Sequence, residues 1–364
     1  MASGSVKFGL APNLYPPEVI FRAAELSEES GLDGIWLADH VVAFGVRRFA
    51  AVDAWTTLGA IAVKTSRIVL GTAVSDPHRR RPETMAQIVA TVDVLSNGRV
   101  ILGMGAGEPM NLTPFGVEWD RPVSRLREVV EAIKLLWTRD SVDYEGNFVR
   151  FRGAILDLKP VQKPHPPVWI GANSPRSLKL VGELGDGWLP IAGSPEDYRR
   201  NLRLIRETAS AVGRDPEKIV PALFVYVGVA RDRETLERRY LIPARFLYLT
   251  FAVPEFNVWK NVPLTRELAE RVLQEALKLD MKLDELVERR VAVIGTPSDC
   301  VSLLQEYIDA GARYLVLTPL TRPEDLIETS RLLVESVVRE LADGQDRGLS
   351  AGESARRTRG LGPS

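Results

Sequence analysis

Short apolar runs and longer stretches of helical period alternate along this chain from residue 6 to residue 341. Runs of β character fall at 6–11, 34–38, 68–74, 100–105, 168–171, 187–191, 219–229 and 314–317. Helical periods occupy 18–30, 54–64, 83–96, 124–137, 175–184, 195–212, 297–310 and 326–341. Strand and helix alternating over eight units predict an α/β fold, a (β/α)8 TIM barrel forming one domain over 1–342. In that architecture all the strands end on one rim, and the rim carries the chemistry.

Two stretches exceed what the alternation needs and read as insertions. At about 141–167, Tyr144-Glu145-Gly146-Asn147-Phe148 has the look of a hairpin turn, and a proline-rich run from Lys159 to Pro167 follows it. At about 229–290, Tyr240, Phe246, Tyr248, Phe251, Phe256 and Trp259 suit either a lid or substrate wall, or plain packing on the barrel. The segment 343–364 is rich in Gly, Ser and Arg without apolar period and reads as a mobile tail.

Two strand ends stand out. Gly34-Ile35-Trp36-Leu37-Ala38 runs into Asp39-His40, and the run from Val100 to Gly107 ends at Glu108. On a common rim these bring a histidine and a carboxylate to one pocket. Only His40, His78 and His165 occur in the chain, and histidine is the side chain whose charge changes nearest neutral pH. Without any chemistry, Asp39 would cap the next segment, His40 would pack on the rim and Glu108 would be a solvated loop acid. The approach to Glu108 argues against the last. Gly103, Gly105 and Gly107 strip one face of the strand end of side chains, leaving backbone against which a flat or bulky group can lie. This is not the GxGxxG of a dinucleotide fold, since Pro109 follows where a helix should begin. Farther on, Gly171-Ala172-Asn173-Ser174 leads into a helix beginning near Pro175. Amides at a helix N-terminus suit an anion, and a simple turn capped by Asn173 or Ser174 accounts for the residues equally well.

Composition narrows the classes. A chain of 364 residues, 45% hydrophobic, buries a large core, and a net charge of -1 gives no bulk attraction to nucleic acid or anionic membrane. A small-molecule partner is expected. The chain opens without a basic stretch followed by a long apolar segment, and no run is long enough to span a bilayer, which predicts a soluble cytoplasmic protein. Cys300 stands alone, so neither an internal disulfide nor a thiolate metal site is expected; it reads as a small hydrophobe in a helix.

Ala38-Asp39-His40, Arg67 to Val74, Pro82-Glu83-Thr84-Met85-Ala86-Gln87, Leu95 to Gly105, Pro160-Val161-Gln162-Lys163-Pro164 before Val168 to Asn173, and Gly295-Thr296-Pro297 follow one another in order. Together they resemble the luciferase-like superfamily of flavin and deazaflavin oxidoreductases over nearly the whole barrel. Within it, Gly105-Ala106-Gly107-Glu108 with Asn111 is similar to the branch using coenzyme F420, especially its glucose-6-phosphate dehydrogenase, ketoreductases and alcohol dehydrogenases. Methylenetetrahydromethanopterin reductases resemble a Gly-Pro-Gly-Asp version of this loop instead.

The resemblance implies hydride transfer between the deazaflavin and an alcohol or carbonyl, with His40 and Glu108 in proton transfer. It implies cofactor contacts from Asp39, Ala73, Val74, Asp76, Gly107, Glu108, Asn111, Gly171, Ala172, Asn173 and Ser174. It further implies a non-prolyl cis peptide between Ala73 and Val74 inside a bulge, and a homodimer. For the dimer, Trp55, Leu58 and Ile61 are a candidate face, the alternative being that they pack on their own barrel. Arg290 looks like a phosphate ligand of the sugar-phosphate enzyme, though an arginine there also suits an ion pair. That enzyme's lysine after the sixth strand has no counterpart in Ala192-Gly193-Ser194-Pro195, so a sugar phosphate is not the expected substrate. Other readings stay open: an F420-dependent methylenetetrahydromethanopterin reductase, an FMN-dependent monooxygenase, or a non-catalytic binding barrel.

Overall fold

Strands buried on both faces need no polar alternation, and the apolar runs of this chain become such strands. The structure is a computed structural model describing residues 5–12, 16–42, 51–257 and 266–344. Its first half runs β1 (Lys7–Leu10), α1 (Pro17–Glu29), β2 (Gly34–Leu37), α2 (Ala54–Ala62), β3 (Val69–Thr72), α3 (Pro82–Leu95), β4 (Val100–Met104) and α4 (Pro122–Thr138). A hairpin follows, β5 (Val142–Glu145) with β6 (Arg150–Ala154), then β7 (Val168–Ile170), α5 (Pro175–Leu184), β8 (Gly187–Trp188), α6 (Pro195–Ala211) and β9 (Val220–Val229). The chain continues through α7 (Arg233–Ala252), α8 (Arg266–Lys278), α9 (Leu283–Glu288), β10 (Val293–Gly295), α10 (Pro297–Asp309), β11 (Tyr314–Pro319) and α11 (Leu326–Leu333).

Strands β1, β2, β3, β4, β7, β8, β9 and β11 pair in parallel in that order, and β11 returns to β1 to close the barrel. These are the eight runs expected from the pattern. Aromatic rings fill the lower barrel: Trp36 and Trp169 stack at 4.9 Å, and Tyr314 meets both edge-on. Glycines opposite make room for them, since a Cβ on Gly9 would lie 2.6 Å from Trp36 Nε1. The open space of the barrel is therefore at the rim.

The first insertion forms the expected hairpin, held by Glu128 of α4, whose carboxylate accepts from the amides of Asn147 (3.0 Å), Phe148 (2.7 Å) and Val149 (3.1 Å). The second contains α7, α8 and α9, with Trp259 outside the described residues, as is 345–364 of the tail. The pattern did not identify β10. It pairs with Val227, Gly228 and Val229 at the end of β9, beside the ring, and three residues are too few to display a period. Cys300 lies fully buried in α10, as expected, and burial pushes its thiol up to about 12. Among the described residues no helix is long and apolar enough to cross a membrane.

Candidate active site

Four strand ends meet at the rim: Asp39 and His40 after β2, Ala73 to Asp76 after β3, Gly105 to Asn111 after β4, and Gly171 to Ser174 after β7. All but Pro109 line one cavity of about 1070 Å³, and they include each site residue expected from the sequence except Arg290. Arg290 does not line this cavity; at φ 58° it pairs with Glu306 of α10 at 2.5 Å, the ion pair that was its alternative reading.

The peptide between Ala73 and Val74 is cis, as the resemblance implied. The glycine run has a different use from the one expected. The bare face it leaves is covered by the chain's own Thr72–Val74 segment: a Cβ on Gly103 would collide with the Thr72 carbonyl oxygen, and one on Gly105 would lie 2.5 Å from Val74 Cγ2. Gly171 completes the notch, its ideal Cβ position 3.4 Å from both Val74 methyls. Glycines of β4 and the β7 end thus seat Val74, and the backbone around it forms part of the cavity wall.

His40 Nε2 lies 3.5 Å from Glu108 Oε2, with side-chain exposures of 17% and 12%. Glu108 is accordingly no solvated loop acid. Burial raises its pKa, more than His40 and the Asn111 amide lower it. Asn111 uses both ends of its amide: Oδ1 accepts from the amides of Val41 (2.9 Å) and Val42 (3.0 Å), while Nδ2 donates to Glu108 Oε2 (3.2 Å). It therefore ties the segment after His40 to Glu108. His40 Nδ1 is buried and has no hydrogen-bond partner among the described residues.

Two arginines missed in the sequence organise the opposite side. Arg80 bridges Asp39 (2.6 Å) to Asp53, the N-cap of α2 (2.5 Å). Arg79 donates to Asp76 (2.5 Å) and to the Asp39 carbonyl oxygen, beside His40. Burial pushes the Asp76 carboxyl up, but Arg79 and the His78 amide outweigh it and hold it below the usual carboxylate range. Asp39 also accepts from Ser75 Oγ at 2.6 Å. The signal available was the run Arg79-Arg80-Arg81 directly after Asp76-Pro77-His78; which arginine turns inward was not in it.

At the head of α5, Ser174 Oγ accepts from the Ser177 amide at 3.3 Å and Ser177 Oγ accepts from the Ser174 amide at 3.1 Å. The capping role is realised, and the loop lines the cavity as well. Phe246, Leu247 and Phe251 of α7 form a wall with Phe224 and Tyr226 of β9, so part of the second insertion does border the site. Of the other described aromatics, Tyr240 also lines the cavity, Phe256 packs with Phe246 in one core cluster, and Tyr248 lies under Arg289. Trp55, Leu58 and Ile61 are buried in this chain's own core, with Trp55 Nε1 donating to Ser75 Oγ at 3.0 Å. They do not form a pairing face.

The family described as luciferase-like monooxygenase matches residues 8–314. A phthiodiolone/phenolphthiodiolone dimycocerosates ketoreductase of Mycobacterium tuberculosis is 31% identical over 351 residues, covering 86% of this chain and 92% of that protein. A 5,10-methylenetetrahydromethanopterin reductase of Methanolobus tindarius is 27% identical over 303 residues, or 82% of this chain and 89% of that protein. Among solved structures, an F420-dependent secondary alcohol dehydrogenase in complex with an F420-acetone adduct aligns with a TM-score of 0.79, covering 92% of this chain and 98% of that one. At 22% identity that likeness is one of fold. With a match running from the first strand to the last, on a closed eight-stranded barrel, the chain belongs to the luciferase-like monooxygenase family.

Proposed function

We propose that this protein is a coenzyme F420-dependent oxidoreductase that moves a hydride between the deazaflavin and an alcohol or carbonyl substrate. The observation that carries the reading is the His40–Glu108 pair, 3.5 Å apart at the edge of the cavity. Related proteins named as a ketoreductase and an F420-dependent secondary alcohol dehydrogenase support it.

The residues fit the cofactor. The backbone from Ala73 to Asp76, with Gly107, offers a wall for a flat ring, and the Gly171–Ser174 loop lies along the same cavity for its polar tail. Asp39 and Asn111 support this wall from the side, their polar atoms largely engaged by Arg79, Arg80, Ser75, Val41, Val42 and Glu108. When bound, the deazaflavin supplies hydride chemistry. The protein's share is the proton: His40 carries it to or from the substrate oxygen, and Glu108, whose raised pKa brings it toward the working range of an acid or base, exchanges it. The apolar wall of Phe224, Phe246, Leu247 and Phe251 favours a hydrophobic substrate over a sugar phosphate.

Titration with oxidised F420 and with FMN tests the cofactor. Tight binding of F420 alone supports the reading, and preference for FMN replaces it with the monooxygenase one. Oxidation of reduced F420 by a ketone, set against methylenetetrahydromethanopterin, separates the carbonyl reading from that of the pterin reductase.

A further inference from the structure

The interior positions of β9 alternate as Ala222, Phe224 and Tyr226, while Leu223, Val225 and Val227 face the helices. Ala222 and Phe224 join the cluster of Trp36, Trp169 and Tyr314, and Tyr226 stands one step higher, where the aromatic filling gives way to the cavity. Phe224 meets its ring edge-on at 5.5 Å, and Phe251 lies 6.1 Å away on α7. The ring is held, and its hydroxyl is not.

Other buried tyrosines use theirs inside the protein. Tyr198 donates to the Ala222 carbonyl oxygen (3.0 Å), Tyr240 to that of Val229 (3.0 Å) and Tyr307 to that of Gly193 (2.5 Å), and Tyr314 accepts from Trp36 Nε1 (3.3 Å). The Tyr226 hydroxyl has no such partner among the described residues, and Tyr226 lines the cavity that His40 and Glu108 line. A hydroxyl in an apolar wall without a protein partner is left to bond with what occupies the cavity, water or an entering substrate.

We propose that Tyr226 is a further catalytic residue, whose hydroxyl donates a hydrogen bond to the substrate oxygen; the proposal rests on the carbonyl reading above. In the reducing direction, the hydride of reduced deazaflavin forms the new C–H bond. The carbonyl π pair moves onto oxygen, and the His40–Glu108 pair delivers the proton that forms O–H. The deazaflavin is oxidised and the carbonyl reduced, while Tyr226 keeps its proton. Burial, then the field of Glu108, push its phenol up, so it remains a donor throughout the neutral range. Aimed at an oxygen gaining negative charge, such a donor acts more strongly in the transition state than before it.

Tyr226→Phe removes one oxygen and keeps the ring. Single-turnover oxidation of reduced F420 by acetophenone should slow by about 10- to 100-fold with F420 affinity unchanged. A second arm needs neither cofactor nor turnover: the affinities of acetophenone and α-methylstyrene, the same shape without the oxygen, are compared by tryptophan fluorescence. The ketone-to-alkene affinity ratio should fall by about 5- to 10-fold from wild type to Tyr226→Phe. An unchanged ratio, or a wild-type rate in the variant, overturns the role of Tyr226. A wild-type protein that leaves reduced F420 unoxidised overturns the parent reading instead, and the affinity ratio then still decides for or against the hydrogen bond.

Discussion

Gly105→Ala puts one methyl group where the structure has no room for it. The new Cβ would stand 2.5 Å from Val74 Cγ2, against an ordinary carbon–carbon separation of about 3.5 to 4.0 Å, so Val74 must withdraw by about 1 Å or more. Rotating Val74 gives little relief, because valine is stiff at χ1. Overpacking of this kind costs about 1 to 3 kcal/mol, and it displaces the segment that walls the cavity. In Gly105→Ala/Val74→Ala the offending methyl is gone, and the nearest atom becomes Val74 Cβ at 3.7 Å, an ordinary contact. The double variant should therefore be more stable than the sum of the single changes predicts, by about 1 to 2 kcal/mol. Urea denaturation of the four proteins measures this coupling, and F420 titration should show affinity lost in Gly105→Ala and largely regained in the double variant. Additive stabilities would refute the seating of Val74 by Gly105.

His40→Ala and Glu108→Gln should each lower turnover by about 100-fold or more while leaving F420 binding intact; a variant with the wild-type rate removes its residue from the proton path. Glu108 also has a stability signature. Burial raises its folded pKa above the ordinary 4.5, so the fold loses stability as the pH rises from there through the raised value. Glu108→Gln should gain on the wild type in thermal melts run toward about pH 8, and a gap that does not change with pH speaks against the buried carboxylate. Glu28 is the opposite case: burial opposes ionisation, but Ser66, Ile68 and Arg67 donate to its carboxylate and hold it near about 2. The full shift from 4.5 amounts to about 3.4 kcal/mol, which solvent screening of this half-buried group reduces to about 1 to 2 kcal/mol. That stability is present above pH 4.5 and lost as the pH falls toward 2, so Glu28→Gln should be weaker at neutral pH and equal to wild type in strong acid. A gap persisting at the acid end would count against it.

The barrel was legible because its rule is local. Each strand is a short apolar run and each helix a period, so eight alternations stated the architecture before any contact was known. His40 and Glu108 were legible for a related reason: they belong to the first polar residues after their strands, and parallel strands all end on one rim. Long-range packing left no such trace. β9 is buried on both faces, so its uniform run could not say that Tyr226 turns inward while Val225 and Val227 turn out. Trp55, Leu58 and Ile61 are apolar whether they meet a partner or their own core, and only the position of α2 against the barrel decided for the core. The glycines of β4 announced a close approach without naming what approaches, because the answer, Val74, comes from another strand. Arg79, Arg80 and Arg81 are alike in sequence; the carboxylates of Asp39, Asp53 and Asp76, brought together from three rim segments, take the first two, while Arg81 stays outside with Glu83. Residue type and period determine which elements form and where they end. Which side chains meet is set by the closing of the sheet, which joins positions far apart in the chain.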